Sequence, residues 1–233
     1  DSKRYSWWEK KYCRNNDYRW MKFRLFILIF LVIIIASNDG IALITKSKGS
    51  VEYEKNDGTV IKDNLRKGMS LFNEDRIKTG ANGFAKYLYL DDGSMIKVHK
   101  NAEVYIYGAI NQRSIIKQVN VAGGNVKFEV SKQGNDDFTV ITPTSVATVK
   151  GTDFWLESDE EDGDQFFGLS GLVNVKNIES NLIRQLTRNT TIISDPEGGI
   201  TIKKTDLNDF KKLQRLELSA GEIDENEFEN SIL

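Results

Sequence analysis

Three groupings in this 233-residue chain combine residue types and spacings that could do chemistry. Asp91 and Asp92 are neighbouring carboxylates, the raw material of general acid–base work. Glu160, Asp162 and Asp164 lie in "ESDEEDGDQ" (157–165), where hard oxygen ligands flank Gly163 as in a calcium loop. His99 is the single histidine and Cys13 the single cysteine. Each has a plainer reading. A glycosidase-type pair needs its carboxyls roughly 5–10 Å apart across a cleft, whereas adjacent strand residues point to opposite sides. Asp91-Asp92-Gly93 therefore reads as a hairpin turn. An EF-type loop ends in a Glu six residues after its Gly, and Leu169 stands there. The segment 157–165 reads as a solvated hairpin tip. One Cys forbids an intrachain disulfide, and one His forbids a Cys/His zinc cluster. His99 follows an alternating run and reads as an exposed turn residue, with no G-x-S-x-G nucleophile elbow in the chain. The expectation is a chain without catalytic residues, metal site or cofactor.

A fourth stretch, "VATVKGTDFWLE" (146–157), interrupts an alternating apolar pattern with Lys150-Gly151-Thr152-Asp153. A glycine inside a strand pair marks a bulge or a close backbone approach. The expectation is that Gly151 sits where two backbones meet, with Thr152 and Asp153 capping the freed backbone groups. A ligand-facing turn is the alternative.

The elements that must hold these residues are strands. Leu88, Leu90, Ile96, Val98, Val104 and Ile106 recur two apart within short runs, and so do Val126, Phe128 and Val130. Phe138 and Val140, Phe154 and Leu156, and Val173 and Val175 continue the pattern. Glycine precedes many of these runs at irregular spacing, so the chain is not a strict repeat. The fold class is all-β, with antiparallel strands joined by Gly turns into a sandwich or roll. After Gly199 the period changes. Leu207, Phe210, Leu213 and Leu216 are helically spaced, Thr205 or Asp206 is the N-cap and Gly221 the stop. The acidic "EIDENEFEN" beyond reads as a frayed tail.

At the other end, "MKFRLFILIFLVIIIASNDGIA" (21–42) has the layout of a secretory signal: Lys22 and Arg24, an apolar run over 25–36, then Gly40 and Ala42 as a small-residue cleavage site. Cleavage there would release a chain beginning at Leu43. The competing reading is a retained anchor over residues 23–36, short for a bilayer core of about 30 Å. Residues 1–20 read as an unassigned upstream segment. Residues 1–42 hold eight Lys and Arg against four Asp and Glu, leaving 24 against 30 in the rest. An acidic body argues against a nucleic-acid partner.

Residues about 49–177 resemble the FecR domain, the periplasmic module of the ferric-citrate regulator family. The resemblance rests on "GSVEY", "LFNEDRIKTGANGFAKYLYLDDGSMIKV", "AEVYI", "GGNVKFEV", "FTVITPTSVATVKGTDFWLE" and "GLSGLVNVKN", in that order. Its most specific part pairs Asp92-Gly93-Ser94 with Thr142-Pro143 and Gly151-Thr152-Asp153-Phe154. The resemblance implies a structural signature, not a ligand set. FecR regulators that control sigma factors carry a cytoplasmic helical domain, and nothing at the N-terminus here corresponds to it. The tail after Gly199 does not resemble the family's β-rich signalling domain, and Glu74 replaces a glycine common before "D-x-I-x-T". The division expected is a segment at 1–20, a signal or anchor at 21–42, an all-β domain at 43–203, and a helix with an acidic tail at 204–233. The function expected is a periplasmic or secreted binding or scaffold module whose partner is another envelope protein or a polysaccharide. The alternative is a membrane-anchored anti-sigma-type regulator.

Overall fold

The computed structural model describes residues 40–231, apart from 64, 113 and 135. Residues 1–20, Cys13 and the apolar run 25–36 lie outside the described residues. Gly40 onward forms one compact unit.

Strands leave the chain singly or in short runs that alternate between two sheets. β1 (Ala42–Lys48) opens sheet A, and β2 (Val51–Glu54) and β3 (Val60–Lys62) form a hairpin in sheet B. β4 (Ser70–Leu71) returns to sheet A, β5 (Asp75–Thr79) to sheet B, and β6 (Phe84–Tyr89) with β7 (Met95–Val98) to sheet A. β8 (Glu103–Asn111) and the first half of β9 (Ser114–Val130) lie in sheet B. β10 (Phe138–Ile141) and β11 (Ser145–Val149) stay there, and β12 (Thr152–Asp159) and β13 (Gly163–Gly168) go to sheet A. β14 (Leu172–Asn177) and β15 (Ile183–Thr187) close sheet B, and β16 (Thr190–Ser194) and β17 (Ile200–Lys204) close sheet A. The order is therefore β4-β1-β6-β7-β9-β12-β13-β16-β17 in sheet A. In sheet B it is β3-β2-β5-β8-β9-β10-β11-β14-β15, with β9–β10 the parallel pair.

β9 belongs to both sheets. Residues 114–123 pair in sheet B and 124–130 in sheet A. The strand crosses over at Gly124, whose φ is +93°, and a Cβ there would lie 2.4 Å from the Ala102 Cα. Only a residue without a side chain permits that crossing.

The alternating residues meet between the sheets in one core. Phe128 stacks on Phe154 with centroids 4.9 Å apart, and Phe138 meets Tyr89 edge-on at 5.8 Å. β6 departs from the expected parity. Tyr87 and Tyr89 point inward, while Leu88 is half-buried and Leu90 is 47% exposed. Both parities of "YLYL" are apolar, so alternation alone does not choose between them, and the rings fill more of the core.

Two helices follow. α1 (Leu207–Ala220) is capped by Asp206, whose side chain accepts from Asn208 N, and ends at Gly221 with φ +68°. It packs Leu213 and Leu216 on Trp155 and Phe167, on the outer face of sheet A. The expected frayed tail is instead α2 (Glu225–Ser231), opened by a reciprocal box. Glu227 N donates to Asp224 Oδ1 at 2.8 Å, and Asp224 N donates to Glu227 Oε2 at 3.2 Å. The strand that opens the β-domain, β1, begins at Ala42. Ile41 and Ala42 are buried, and Ile41 N donates to Leu71 O at 2.8 Å.

Candidate functional site

Strand register builds the outstanding chemical feature of the molecule. On the outer face of sheet A, Lys46 pairs with Lys86, Lys86 with Lys97, and Lys97 with Lys127. The row continues through Trp155 opposite Lys127 and Phe167 opposite Trp155. Four lysines thus stand side by side on β1, β6, β7 and β9. Like charges directly opposite each other destabilise a sheet, so this row needs anions.

α1 brings them. Glu217 Oε2 lies 3.0 Å from Lys97 Nζ and 2.9 Å from Lys127 Nζ. Glu222, just past the helix, lies 2.9 Å from Lys46, 2.7 Å from Lys86 and 3.2 Å from Lys97. Lys46 and Lys48 also donate to the carbonyls of Gly221 and Ser219 at 2.6 and 2.8 Å. Cations at these orphan carbonyls complement the negative end of the helix dipole. Burial works against ionisation of Glu217, but His99, whose Nε2 stands 3.0 Å from Oε1, and the Lys127 charge outweigh it and hold the carboxyl well below its ordinary range. Burial likewise opposes Glu222, whose bonds to Lys86, Lys46 and Lys97 bring it down to about 2.

His99 is not the exposed turn residue the alternation suggests; it is 1% exposed. Its ring sits between Phe84 and Trp155, centroids 5.0 and 4.7 Å away, and Nε2 lies 3.0 Å from Glu217 Oε1. Burial holds the imidazole below its ordinary value, against the pull of Glu217.

The signature residues lie elsewhere, and most of them gather at one end of the sandwich. Asp91 and Asp92 do not point apart: their Oδ2 atoms lie 2.7 and 3.0 Å from the buried Lys117 Nζ. Asp92 Oδ1 accepts from Ser94 N at 2.8 Å, closing the β6–β7 turn over Gly93. Gln133 ties this turn to the next segment, donating to Asp92 Oδ2 at 2.6 Å and Ser94 Oγ at 3.3 Å. Its backbone N donates to Lys150 O at 3.0 Å, beside the Lys150–Asp153 break. There Gly151 has φ +136°, and a Cβ would lie 2.9 Å from Lys132 Cα. Two backbones meet at Gly151. Thr152 and Asp153 do not cap them as expected. The Thr152 hydroxyl is buried without a partner, and Ser170 does the capping, its Oγ accepting from Asp153 N at 3.0 Å. Phe154 is a core residue.

Thr142 is at the opposite end of β12 and β13, in the turn with exposed Pro143. Its Oγ1 donates to Asp164 Oδ2 at 2.5 Å and accepts from Ser145 N at 2.8 Å. Asp164 is fully buried and also accepts from Ser158 Oγ at 2.7 Å. Burial pushes its carboxyl above the ordinary value, while the Thr142 and Ser158 hydroxyls pull the other way. Glu160 and Asp162 are exposed on the β12–β13 turn, so the suspected calcium ligands face different environments. Among the described residues no three His, Cys, Asp or Glu side chains are placed to hold a metal ion.

Residues 75–173 match the family model described as FecR protein. This segment, 99 of the 233 residues, is similar to FecR domains. It shares its fold with two crystal structures of a provisionally assigned anti-sigma factor from Parabacteroides distasonis ATCC 8503. Each has a TM-score of 0.50 and 22% identity, over 60% of this chain and 64% of that one. This chain thus spans less than two thirds of that protein. No curated protein matches. The lysine row straddles the FecR match: Lys86, Lys97, Lys127, Trp155 and Phe167 lie inside it, Lys46 before it, and Glu217 and Glu222 after it. Sequence reasoning missed the row because register between distant strands is not written in any one segment. The available signal was lysine at the polar parity of four apolar strands.

Proposed function

We propose that the FecR domain of this chain serves as an exported, non-catalytic binding module of the cell envelope, in a FecR-type regulator. The observation that carries this reading is the FecR match over residues 75–173. The geometry supports it, because the groups that sequence offered for catalysis are engaged in holding the fold. His99 is wedged under α1, and Asp91 and Asp92 are paired with Lys117. The partner is another envelope protein or a polysaccharide, and the acidic body argues against nucleic acid.

Export rests on the signal layout of residues 21–42. Burial of Ile41 and Ala42 in and beside β1 favours a mature chain that begins upstream of Ile41 over one that begins at Leu43. Intact-mass measurement of the periplasmic protein tests this, and a chain starting at Leu43 would contradict it. Capture of one specific envelope component by the tagged protein is the expected result for binding. Recovery of the protein alone from envelope extract would sink that part.

A second reading is a membrane-anchored anti-sigma-type regulator, attached through residues 23–36. The fold shared with the anti-sigma factor of Parabacteroides distasonis favours it. An uncleaved chain found only in the membrane fraction would decide for it.

A further inference from the structure

The lysine row is a cradle in search of carboxylates, and what fills it is a helix held more by charge than by apolar contact. Five lysines from four strands, counting Lys48, reach Glu217, Glu222 and the last carbonyls of α1. The apolar part of the contact is small: Trp155, Phe167 and half-buried Leu169 from the sheet side against Leu213 and Leu216. Leu207, at the start of the helix, is 57% exposed, so the first turn stands away from the sheet. Buried ion pairs add less net stability than a well-packed apolar contact of equal size. They do impose a charge pattern on whatever occupies the face.

We infer that the row Lys46–Lys86–Lys97–Lys127–Trp155 is a docking surface for an amphipathic helix that ends in carboxylates, and that α1 is its displaceable internal occupant. The partner segment is defined by what α1 presents. Two apolar residues three apart (Leu213, Leu216) are followed by one carboxylate immediately and a second five residues later (Glu217, Glu222). Charge complementarity selects a helix with carboxylates at its C-terminal end over one with basic or neutral residues there. Arrival of the partner helix removes α1 from Trp155 and frees residues 205–231 for other contacts. This inference rests on the binding-module reading and names where the partner docks.

The test uses the full chain with a protease site inserted after Lys204, cut after folding. A fluorescent peptide covering residues 205–231 is the probe helix. The expected result is exchange of the probe into the cut protein, seen as a rise in anisotropy, while the β-sheet circular dichroism is retained. A probe carrying Glu217→Lys and Glu222→Lys should bind at least about tenfold more weakly, about 1.4 kcal/mol. A cut chain carrying Lys97→Met and Lys127→Met should show the same loss for the unmodified probe. Equal capture of both probes, absence of exchange, or collapse of the sheet when α1 leaves would each overturn the inference. So would a dimer of the uncut chain formed by reciprocal exchange of α1, since that assigns the row to a second copy. No envelope partner enters this assay, so its failure leaves the export and capture experiments untouched. Failure of those leaves the cradle standing.

Discussion

Gly151 and Lys132 hold their backbones so close that a Cβ on Gly151 would stand 2.9 Å from the Lys132 Cα, at a φ of +136°. Gly151→Val therefore forces both a backbone that valine resists and a clash that only main-chain movement relieves. The expected cost is roughly 2–4 kcal/mol. A urea midpoint equal to wild type would contradict it.

Thr152→Val is expected to behave differently, although the residue is the next along the chain. The threonine hydroxyl is buried with no partner, so replacing it with a methyl removes an unmet desolvation cost. The variant should match wild type or exceed it by up to about 1 kcal/mol. A loss larger than about 1 kcal/mol would show that the hydroxyl has a partner after all.

Glu74 occupies a left-handed position, φ +70°, where glycine carries no steric penalty. Glu74→Gly should raise stability by up to about 1 kcal/mol, less the extra entropy the glycine gives the unfolded chain. Thermal unfolding of the pair decides the sign, and a lower midpoint for the variant counts against the strain.

Lys117 is a buried cation between two carboxylates, Asp91 and Asp92. Lys117→Met leaves both anions facing an apolar group and should cost about 3–5 kcal/mol. Adding Asp91→Asn and Asp92→Asn should recover part of that loss. If the triple variant is no more stable than Lys117→Met alone, the pairing is not what the lysine contributes.

Acid should unfold the domain in two stages. Folded His99 titrates below its ordinary 6.5 because it is buried. Its contribution is complete above that value and fades as pH falls through it. Glu217 and Glu222 titrate below their ordinary 4.5, Glu222 at about 2. Their contribution is complete above 4.5 and lost as pH falls towards those depressed values. Asp164, raised above 3.8 by burial, acts in the opposite sense and gains as it protonates. Denaturant midpoints measured across this range should fall first near pH 6 and again below about pH 4.5. His99→Gln should flatten only the first step, and an unchanged first step in that variant would remove His99 from the account.

Much of this architecture is legible in single strands. Ile96, Val98, Val126, Phe128, Phe138, Val140, Phe154 and Leu156 alternate and are all buried. The C-cap of α1 at Gly221 follows from residue type alone, and its N-cap at Asp206 is one of the two residues, with Thr205, that type offers. What is not legible depends on contacts between distant segments. The inward parity of Tyr87 and Tyr89 is hidden because leucines occupy the other parity. The burial of His99 is hidden because the cover is a helix 118 residues further on, at Glu217. Asp224 and Glu227 did carry a local signal for α2, the reciprocal box, but acidic composition masked it. The lysine row needed four registers at once, and no pattern within one strand contains them.

Because β9 is hydrogen-bonded into both sheets, synthesis of this chain has a waiting period. When the ribosome has released the chain only as far as Gly123, β7 has its β6 neighbour but lacks the strand it needs on its other side. Sheet B at that moment has β8 and the first half of β9, with nothing beyond. The newborn first half therefore displays two open edges: residues 124–130 cover that of β7, and β10 covers that of the first half of β9. A chaperone that shields unpaired strands would act in that interval, before β12 docks on β9.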